Sequence, residues 1–191
     1  MTDTRIRCGW CGTHSDYINY HDKEWGVPIH DDQRLFELLC LEGAQAGLSW
    51  LTILRKREGY RVLFDQFDPN KIAAYDEAHI QRLKQDKRIV RNELKIRAFV
   101  SNAQAYLNVL STGQSFNDYL WQFVDHQSLQ NKFYDLSEVP ANTRISDAMS
   151  KQLKRDGFKF VGSTICYAFM QSAGMVNDHL VDCFRYADLS T

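Results

Sequence analysis

The stretch ISDAMSKQLKRDGFKFVGSTICYAFMQSAG, residues 145–174, decides how the fold is read. Ile145, Ala148, Met149 and Leu153 recur at the spacing of one helix face, with Ser146 placed to cap the start and Gly157 to end it. Ile165, Ala168, Phe169 and Ser172 or Ala173 repeat that spacing, and Gly174 comes next. Between the two helices lies the six-residue connection Gly157-Phe158-Lys159-Phe160-Val161-Gly162. Its two glycines let the backbone approach another molecule, and at Ser163 and Thr164 the free amides of a helix start can hold a phosphate oxygen. Lys151, Lys154, Arg155 and Lys159 surround the turn against Asp147 and Asp156. The pattern reads as a helix-hairpin-helix, which grips a DNA backbone without reading sequence. An ordinary αα-hairpin is the competing reading.

Helical spacing continues outward from this segment. Ile96, Phe99, Val100, Ala103, Leu107 and Leu110 carry it through four turns, and shorter helices are predicted around 32–42, 49–63, 76–84 and 115–124. No period-two run bounded by turn residues stands out, so strands should be few or absent and the fold class all-α. A chain of 191 residues, 44% hydrophobic and 25% charged, can bury about 70% of its unfolded surface. That suits a single unit over 1–191, with room for two lobes, and excludes a disordered or fibrous chain. The start, Met1 to Cys8, lacks the apolar core of a secretory leader, and no stretch approaches the ~18 to 20 apolar residues of a membrane span. A cytoplasmic monomer with no membrane partner is expected.

The net charge of -1 neither favours nor excludes a nucleic acid, so distribution must decide. From Gln81 to Arg97 seven basic residues face two acids, a local +5, and from Asp16 to Glu37 six acids face two bases, a local -4. The basic run suits either a polyanion-binding face or a solvated helix surface. Five cysteines, an odd number without a secretory leader, argue against a disulfide framework and for metal binding or plain burial.

Three groups of residues could carry chemistry. His179 and Cys183, four apart, project from one face if helical, and Cys8, Cys11, His14 and His21 offer further zinc ligands near the other end. Four such ligands of Cys2His2 type would make a closed, structural site tying the termini together. Spacing does not choose between Cys8 and Cys11 or between His14 and His21, and plain burial of His179 and Cys183 explains them equally well. Trp10, Tyr17, Tyr20 and Trp25, with Trp50, crowd the first quarter of the chain. Singly each suits a core; together, among polar and glycine residues, they suggest a slot for a flat, electron-poor or cationic ligand. Glu42 falls four after Leu38 and seven after Leu35, so it shares their apolar stripe and points inward, where an ionised group needs a partner or a function. The alternative is a glutamate at a fraying helix end.

Arg7–Trp10, Tyr20–Pro28, Leu41–Trp50, Gly157–Tyr167 and Val176–His179 together resemble the bacterial DNA-3-methyladenine glycosylase I family, over about residues 7–184. The resemblance implies a helix-hairpin-helix DNA glycosylase fold with the hairpin at 146–173, and Gly157, Lys159, Gly162, Ser163 and Thr164 at the DNA backbone. It implies one structural zinc ion held by Cys8, His21, His179 and Cys183, joining the N- and C-terminal segments, with no ligand role for Cys11 or His14. It also implies a base pocket in which Glu42, the catalytic candidate, accepts hydrogen bonds from the excised base. Trp50 and Tyr20 would stack on or line it, with Trp10, Tyr17 and Trp25 nearby. The implied activity is base-excision repair: 3-methyladenine is flipped out of alkylated double-stranded DNA and removed by hydrolysis.

Two departures from the wider superfamily bear on mechanism. Many members carry an aspartate shortly after the second hairpin helix, where this chain has Asn177, and no lysine stands at the hairpin position of the Schiff-base nucleophile. A monofunctional enzyme without lyase activity is expected. Methylation at N3 makes the adenine cationic within the nucleotide, so it departs as a neutral base and needs little protonation. The enzyme must supply extrusion, at a few kcal/mol, and a pocket that prefers the alkylated purine. Two other classes compete: a zinc-stabilised protein that only binds distorted DNA, and a zinc hydrolase with Glu42 as general base.

Overall fold

Polar residues with a free side-chain oxygen set where most helices begin. In the computed structural model, which describes residues 4–190, α1 (Ser15–Lys23) follows His14 without a side-chain cap. Asp31, Ser49, Asp68, Asp76, Asn92 and Ser115 each accept a backbone N–H at the starts of α2 (Asp32–Gln45), α3 (Trp50–Leu63), α4 (Pro69–Ala73), α5 (Glu77–Gln85), α6 (Glu93–Ser111) and α7 (Phe116–Trp121). Thr143 does the same for α8 (Arg144–Arg155), whereas α9 (Ser163–Ser172) and α10 (Phe184–Asp188) lack such caps. Met1–Asp3 and Thr191, the outermost residues of the unit expected over 1–191 and part of the start read for a leader, lie outside the described residues.

The described residues are all-α apart from β1 (Leu129–Gln130) and β2 (Val176–Asn177), which pair in parallel with Leu129 opposite Val176. Two-residue strands are too short to show a period. The predicted helices all form, with changes at their ends. Ser146 is not the cap of α8 but its third residue: Thr143 takes the cap, and Ser146 Oγ accepts the Thr143 N–H in return, closing a capping box. The helix expected through 124 tightens after Trp121 into a 3₁₀ turn, Gln122–Val124, which ends at left-handed Asp125. Helices α4 and α10, five residues each, are too short for a repeating stripe, and α1 escapes because its inward residues are Tyr20 and His21 rather than aliphatics.

Helix α2 is the axis. It buries Leu35, Phe36, Leu39, Cys40, Leu41, Glu42, Gly43 and Ala44 and packs against α3, α6, α7 and α9. Stacked and tilted rings fill the space around α6, with Phe64, Phe67 and Phe99 on one side and Tyr106, Phe116 and Phe158 on the other. Helices α8 and α9 form the hairpin, and its turn sits directly on α2: a Cβ on Gly43 would lie 3.1 Å from Phe160 Cβ. Phe160 itself is left-handed at φ 55°, rare for a bulky residue. Asn102 of α6 clamps the turn, its side chain accepting the Lys159 N–H at 2.7 Å and donating to the Lys159 carbonyl at 3.2 Å.

Part of the basic run at 81–97 is paired in place, Glu77 being the one acid from outside the run. Arg97 pairs with Glu77 and Glu93, Lys84 with Glu93 and Arg88 with Asp86. Lys95 is buried, donating to the carbonyls of Ala44 and Ala46 at the end of α2. Four of the seven basic side chains, Lys84, Arg88, Lys95 and Arg97, are thus engaged within the fold.

Gly174 ends α9 at φ +70°, and a Cβ there would lie 2.4 Å from Pro28 N and 2.5 Å from Val27 C. Gly174→Ala is expected to lower the unfolding free energy by at least about 2 kcal/mol, about 4–8 °C in Tm for a chain of this size, measured by thermal unfolding.

Candidate functional site

Glu42 lies where the apolar stripe of α2 puts it, 2% exposed, and the hydrogen bond available to it comes from across the helix interface. Ser172 Oγ of α9 donates to Glu42 Oε1 at 2.6 Å and accepts from Tyr20 OH of α1 at 3.0 Å. Burial pushes the Glu42 carboxyl up to about 7, and the Ser172 hydroxyl restrains that rise. Burial also raises the phenols of Tyr20 and Tyr17, with the neighbouring Glu42 charge adding to the effect.

These residues open on a cavity of about 380 Å³, within the ~300–1,000 Å³ of small-molecule sites. Trp10, Tyr17, Tyr20, Trp25, Glu42 and Trp50 all line it. Trp10 organises the rings, lying edge-on to Tyr17 at 5.1 Å and to Trp25 at 4.9 Å, while Tyr20 and Trp50 meet at 5.5 Å. The indole N–H groups of Trp10 and Trp50 are buried without a hydrogen-bond partner. Sequence reasoning missed other lining residues. Ala168, Gln171 and Ser172 come from the inner face of α9, where a serine on an apolar stripe was a usable signal. Leu136 and Val139 come from a short 3₁₀ segment without periodicity, and Asp178 from an irregular stretch. Asp178 is buried and accepts from Tyr167 OH at 2.6 Å, Gln171 at 2.8 Å and Asn131 at 2.7 Å. Its neighbour Asn177 turns away toward Gln130 and Tyr186.

Behind the Trp10–Trp25 wall, Cys8, His21, His179 and Cys183 form a fully buried group whose ligand atoms all lie within 4.8 Å of one another. Cys8 Sγ and Cys183 Sγ are each 3.5 Å from His179 Nδ1, and Cys183 Sγ is 3.4 Å from His21 Nε2. A tetrahedral ion with Zn–S about 2.3 Å and Zn–N about 2.0 Å would set sulfur and nitrogen about 3.5 Å apart, so the donor set fits one. The outer ring nitrogens are oriented as metal-bound imidazoles usually are: His21 Nδ1 meets Asp22 Oδ1 at 2.8 Å and His179 Nε2 meets the Trp25 carbonyl at 3.1 Å. Asp22 is held in turn by Arg7. Hydrogen bonding between the two thiols pushes Cys183 down and Cys8 up, so without a cation the pair cannot both ionise readily. Cys11 instead directs its thiol to the Cys8 carbonyl, and His14 is exposed. Four protein donors leave no open coordination position, contrary to what a zinc hydrolase needs.

Gly157, Lys159, Gly162, Ser163 and Thr164 lie on the hairpin turn and do not line the cavity. Gly157 needs glycine, at φ +98°, whereas Gly162 has φ -63° and a Cβ there would meet nothing within 4 Å, so what it provides is open access. Ser163 Oγ is engaged with Ser146 Oγ, and the Lys159 amide with Asn102. Helix α9 has no side-chain cap on its first amides.

The family described as methyladenine glycosylase has a model that matches residues 10–186. DNA-3-methyladenine glycosylase 1 of Escherichia coli (strain K12) is 55% identical over 180 residues, covering 94% of this chain and 96% of the relative. The DNA-3-methyladenine glycosylase of Haemophilus influenzae is 53% identical over 177 residues, covering 93% and 96%. A crystal structure of a 3-methyladenine DNA glycosylase I superposes with TM-score 0.93 at 52% identity, covering 94% of this chain and 98% of that one. The Staphylococcus aureus 3-methyladenine DNA glycosylase I, solved to show the basis of its 3-methyladenine recognition, gives TM-score 0.91 at 38% identity, covering 93% and 95%.

The raised carboxyl bears on stability. Its folded pKa of about 7 stands above the ordinary 4.5, so the native state holds an extra proton between those values and stability falls as pH rises through that window. Glu42→Gln removes this dependence. At pH 8 the variant should be more stable than the wild type by roughly 3 kcal/mol, with the gap closing below about pH 4.5. Denaturant unfolding across pH checks it; a gap that is constant with pH contradicts it.

Proposed function

Since this chain belongs to the methyladenine glycosylase family and is an N-glycosylase, a hydrolase of N-glycosyl bonds, we propose that it removes 3-methyladenine from alkylated double-stranded DNA as a monofunctional base-excision enzyme. The observation that carries this reading is the buried Glu42 carboxyl opening on a cavity walled by indoles and phenols. A ring that is methylated at N3 while still bonded to deoxyribose is cationic; aromatic faces and a nearby carboxylate both favour it over a neutral purine.

The chemistry comes from that charge. As the C1′–N9 bond breaks, its electron pair neutralises the ring, so the base needs no proton to leave, and water forms the new bond to C1′ and gives up a proton. Glu42 accepts a hydrogen bond from the amino edge of the base, Trp50 and Tyr20 hold its faces, and Trp10, Tyr17 and Trp25 close the slot. No lysine lines the cavity, in keeping with hydrolysis rather than a Schiff-base lyase route.

The α8–α9 hairpin acts as a helix-hairpin-helix. Gly157, Lys159, Gly162, Ser163 and Thr164 meet the backbone of the DNA while the flipped nucleotide occupies the cavity. Cys8, His21, His179 and Cys183 hold one zinc ion, which when bound cross-links the two ends of the chain and takes no part in the reaction. The chain works as a single catalytic unit, a monomer in the cytoplasm; no helix among the described residues is long and apolar enough to cross a membrane.

Incubation with alkylated duplex DNA should release free 3-methyladenine and leave abasic sites without strand cleavage; no release above background defeats the proposal. Glu42→Gln should lower excision by more than tenfold while affinity for undamaged duplex changes less than twofold. Trp50→Ala should weaken free-base affinity by about tenfold or more, the value of one stacking contact. Wild-type excision and base affinity in both variants would remove the pocket assignment.

Metal analysis should find one zinc per chain. Cys8→Ser and His179→Ala should lose it, together with several degrees of Tm, and full zinc occupancy in either variant would count against this ligand set.

A further inference from the structure

Ser172 joins α1 to α2 through two directed hydrogen bonds, and its part in the reaction rests on the base-pocket reading proposed for Glu42. The Tyr20 phenol donates to Ser172 Oγ, and Ser172 Oγ donates to Glu42 Oε1, all three residues being buried. Glu42 Oε2 has no hydrogen-bond partner among the described residues, and Glu42 lines the cavity. Behind the cavity lies a smaller hollow of about 100 Å³, and Tyr20, Trp50 and Ser172 line both, so Ser172 stands in the wall between them. Glu42 itself faces the larger cavity, and a carboxylate on an open wall has room to swing unless one oxygen is tied.

We propose that Ser172 is a positioning residue for base recognition: its hydroxyl ties Glu42 Oε1 and thereby turns Oε2 toward the purine. Among the described residues Ser172 alone hydrogen-bonds Glu42; the unpartnered indole N–H groups of Trp10 and Trp50 make no bond to it. Helix α1 brings Tyr17 and Tyr20, the latter committed to Ser172 itself. Helix α3 brings Arg57 and Arg61, engaged by Glu24 and Glu37. Helix α6 brings Lys95, engaged by the carbonyls of Ala44 and Ala46. Helix α7 brings Asp118, exposed, and Tyr119, whose hydroxyl is committed to Asp156, and the turn at 65–67 brings Asp65, bonded to Tyr75. Asp178, in the same cavity, is an acceptor already met by three donors.

The test compares wild type, Ser172→Ala and Ser172→Thr by affinity for free 3-methyladenine, by the pH profile of excision, and by carbon-13 NMR titration of the Glu42 carboxyl in the free protein. Ser172→Ala should weaken base affinity about tenfold, the worth of a hydrogen bond to a charged group. It should also move the Glu42 titration and the excision midpoint upward, because a donor that favours the ionised form is gone. Ser172→Thr, which keeps the hydroxyl, should restore all three. Base affinity within twofold of wild type in Ser172→Ala, an unmoved Glu42 titration, or a threonine variant no better than alanine would each overturn the proposal. If the wild type releases no 3-methyladenine, the function proposal fails by that result alone. The carboxyl titration, which needs no substrate, then still decides whether Ser172 governs Glu42.

Discussion

One ionisable carboxyl on the buried stripe of a central helix is the constraint around which the neighbouring structure is arranged. Glu42 is almost wholly withdrawn from the surface, so α9 must present a hydroxyl at that level and α1 must orient the hydroxyl in turn. The last turn of α2 must also stay fixed, and Lys95, itself removed from solvent, does this by taking the two carbonyls that the helix end leaves open. Gly43, next to Glu42, is bare so that Phe160 of the hairpin turn can close on it. The turn proposed to meet DNA and the acid proposed to meet the base are thus adjacent on one helix, with Asn102 bracing the turn from α6.

The cavity wall depends on a second set of contacts. Trp10 and Trp25 lean on buried histidines: Trp10 lies 5.3 Å from the His21 ring and Trp25 4.6 Å from the His179 ring. Those histidines are in turn fixed by Asp22 and by a backbone carbonyl. The stretch from Ala173 to Cys183 contains little regular structure beyond β2, and the buried Cys/His group joins it to the beginning of the chain together with the packing of Gly174 on Val27 and Pro28. A proposed structural ion would therefore stiffen the aromatic wall as well as close the chain, although it stands outside the cavity.

What the sequence disclosed obeys the same physics. Long amphipathic helices were legible because burial on one side leaves a stripe, and Glu42 was legible because it breaks that stripe. The ends were less so: Ser146 looks like a cap until Thr143, three residues earlier, is seen to complete the reciprocal pair. Residues 131–139 were opaque, since a segment that lines a cavity by local turns repeats nothing, and Leu136, Val139 and Asn131 went unnoticed. Spacing could not separate Cys8 from Cys11 because both are buried within one turn; only the direction of the thiols distinguishes them. The basic run was legible as charge but not as partners, because the pairing of Lys84 with Glu93 and of Arg97 with Glu77 depends on how α5 meets α6.

A carboxyl held near neutrality makes recognition depend on the ligand's own charge. With its pKa at about 7, Glu42 is divided between acid and anion, so a neutral purine entering the slot meets little electrostatic attraction. A cationic ring draws the proton off and creates the attraction that retains it. During cleavage the positive charge passes from the base to the sugar, and the departing base ends neutral. The attraction that favoured capture then vanishes from the product, so the buried acid proposed to select the damaged nucleotide would not hold the freed base as tightly. An acid fully ionised at this depth would be costly to bury; one pushed much higher would stay protonated and offer a cation nothing. Burial opposed by one serine hydroxyl sets the balance between those extremes.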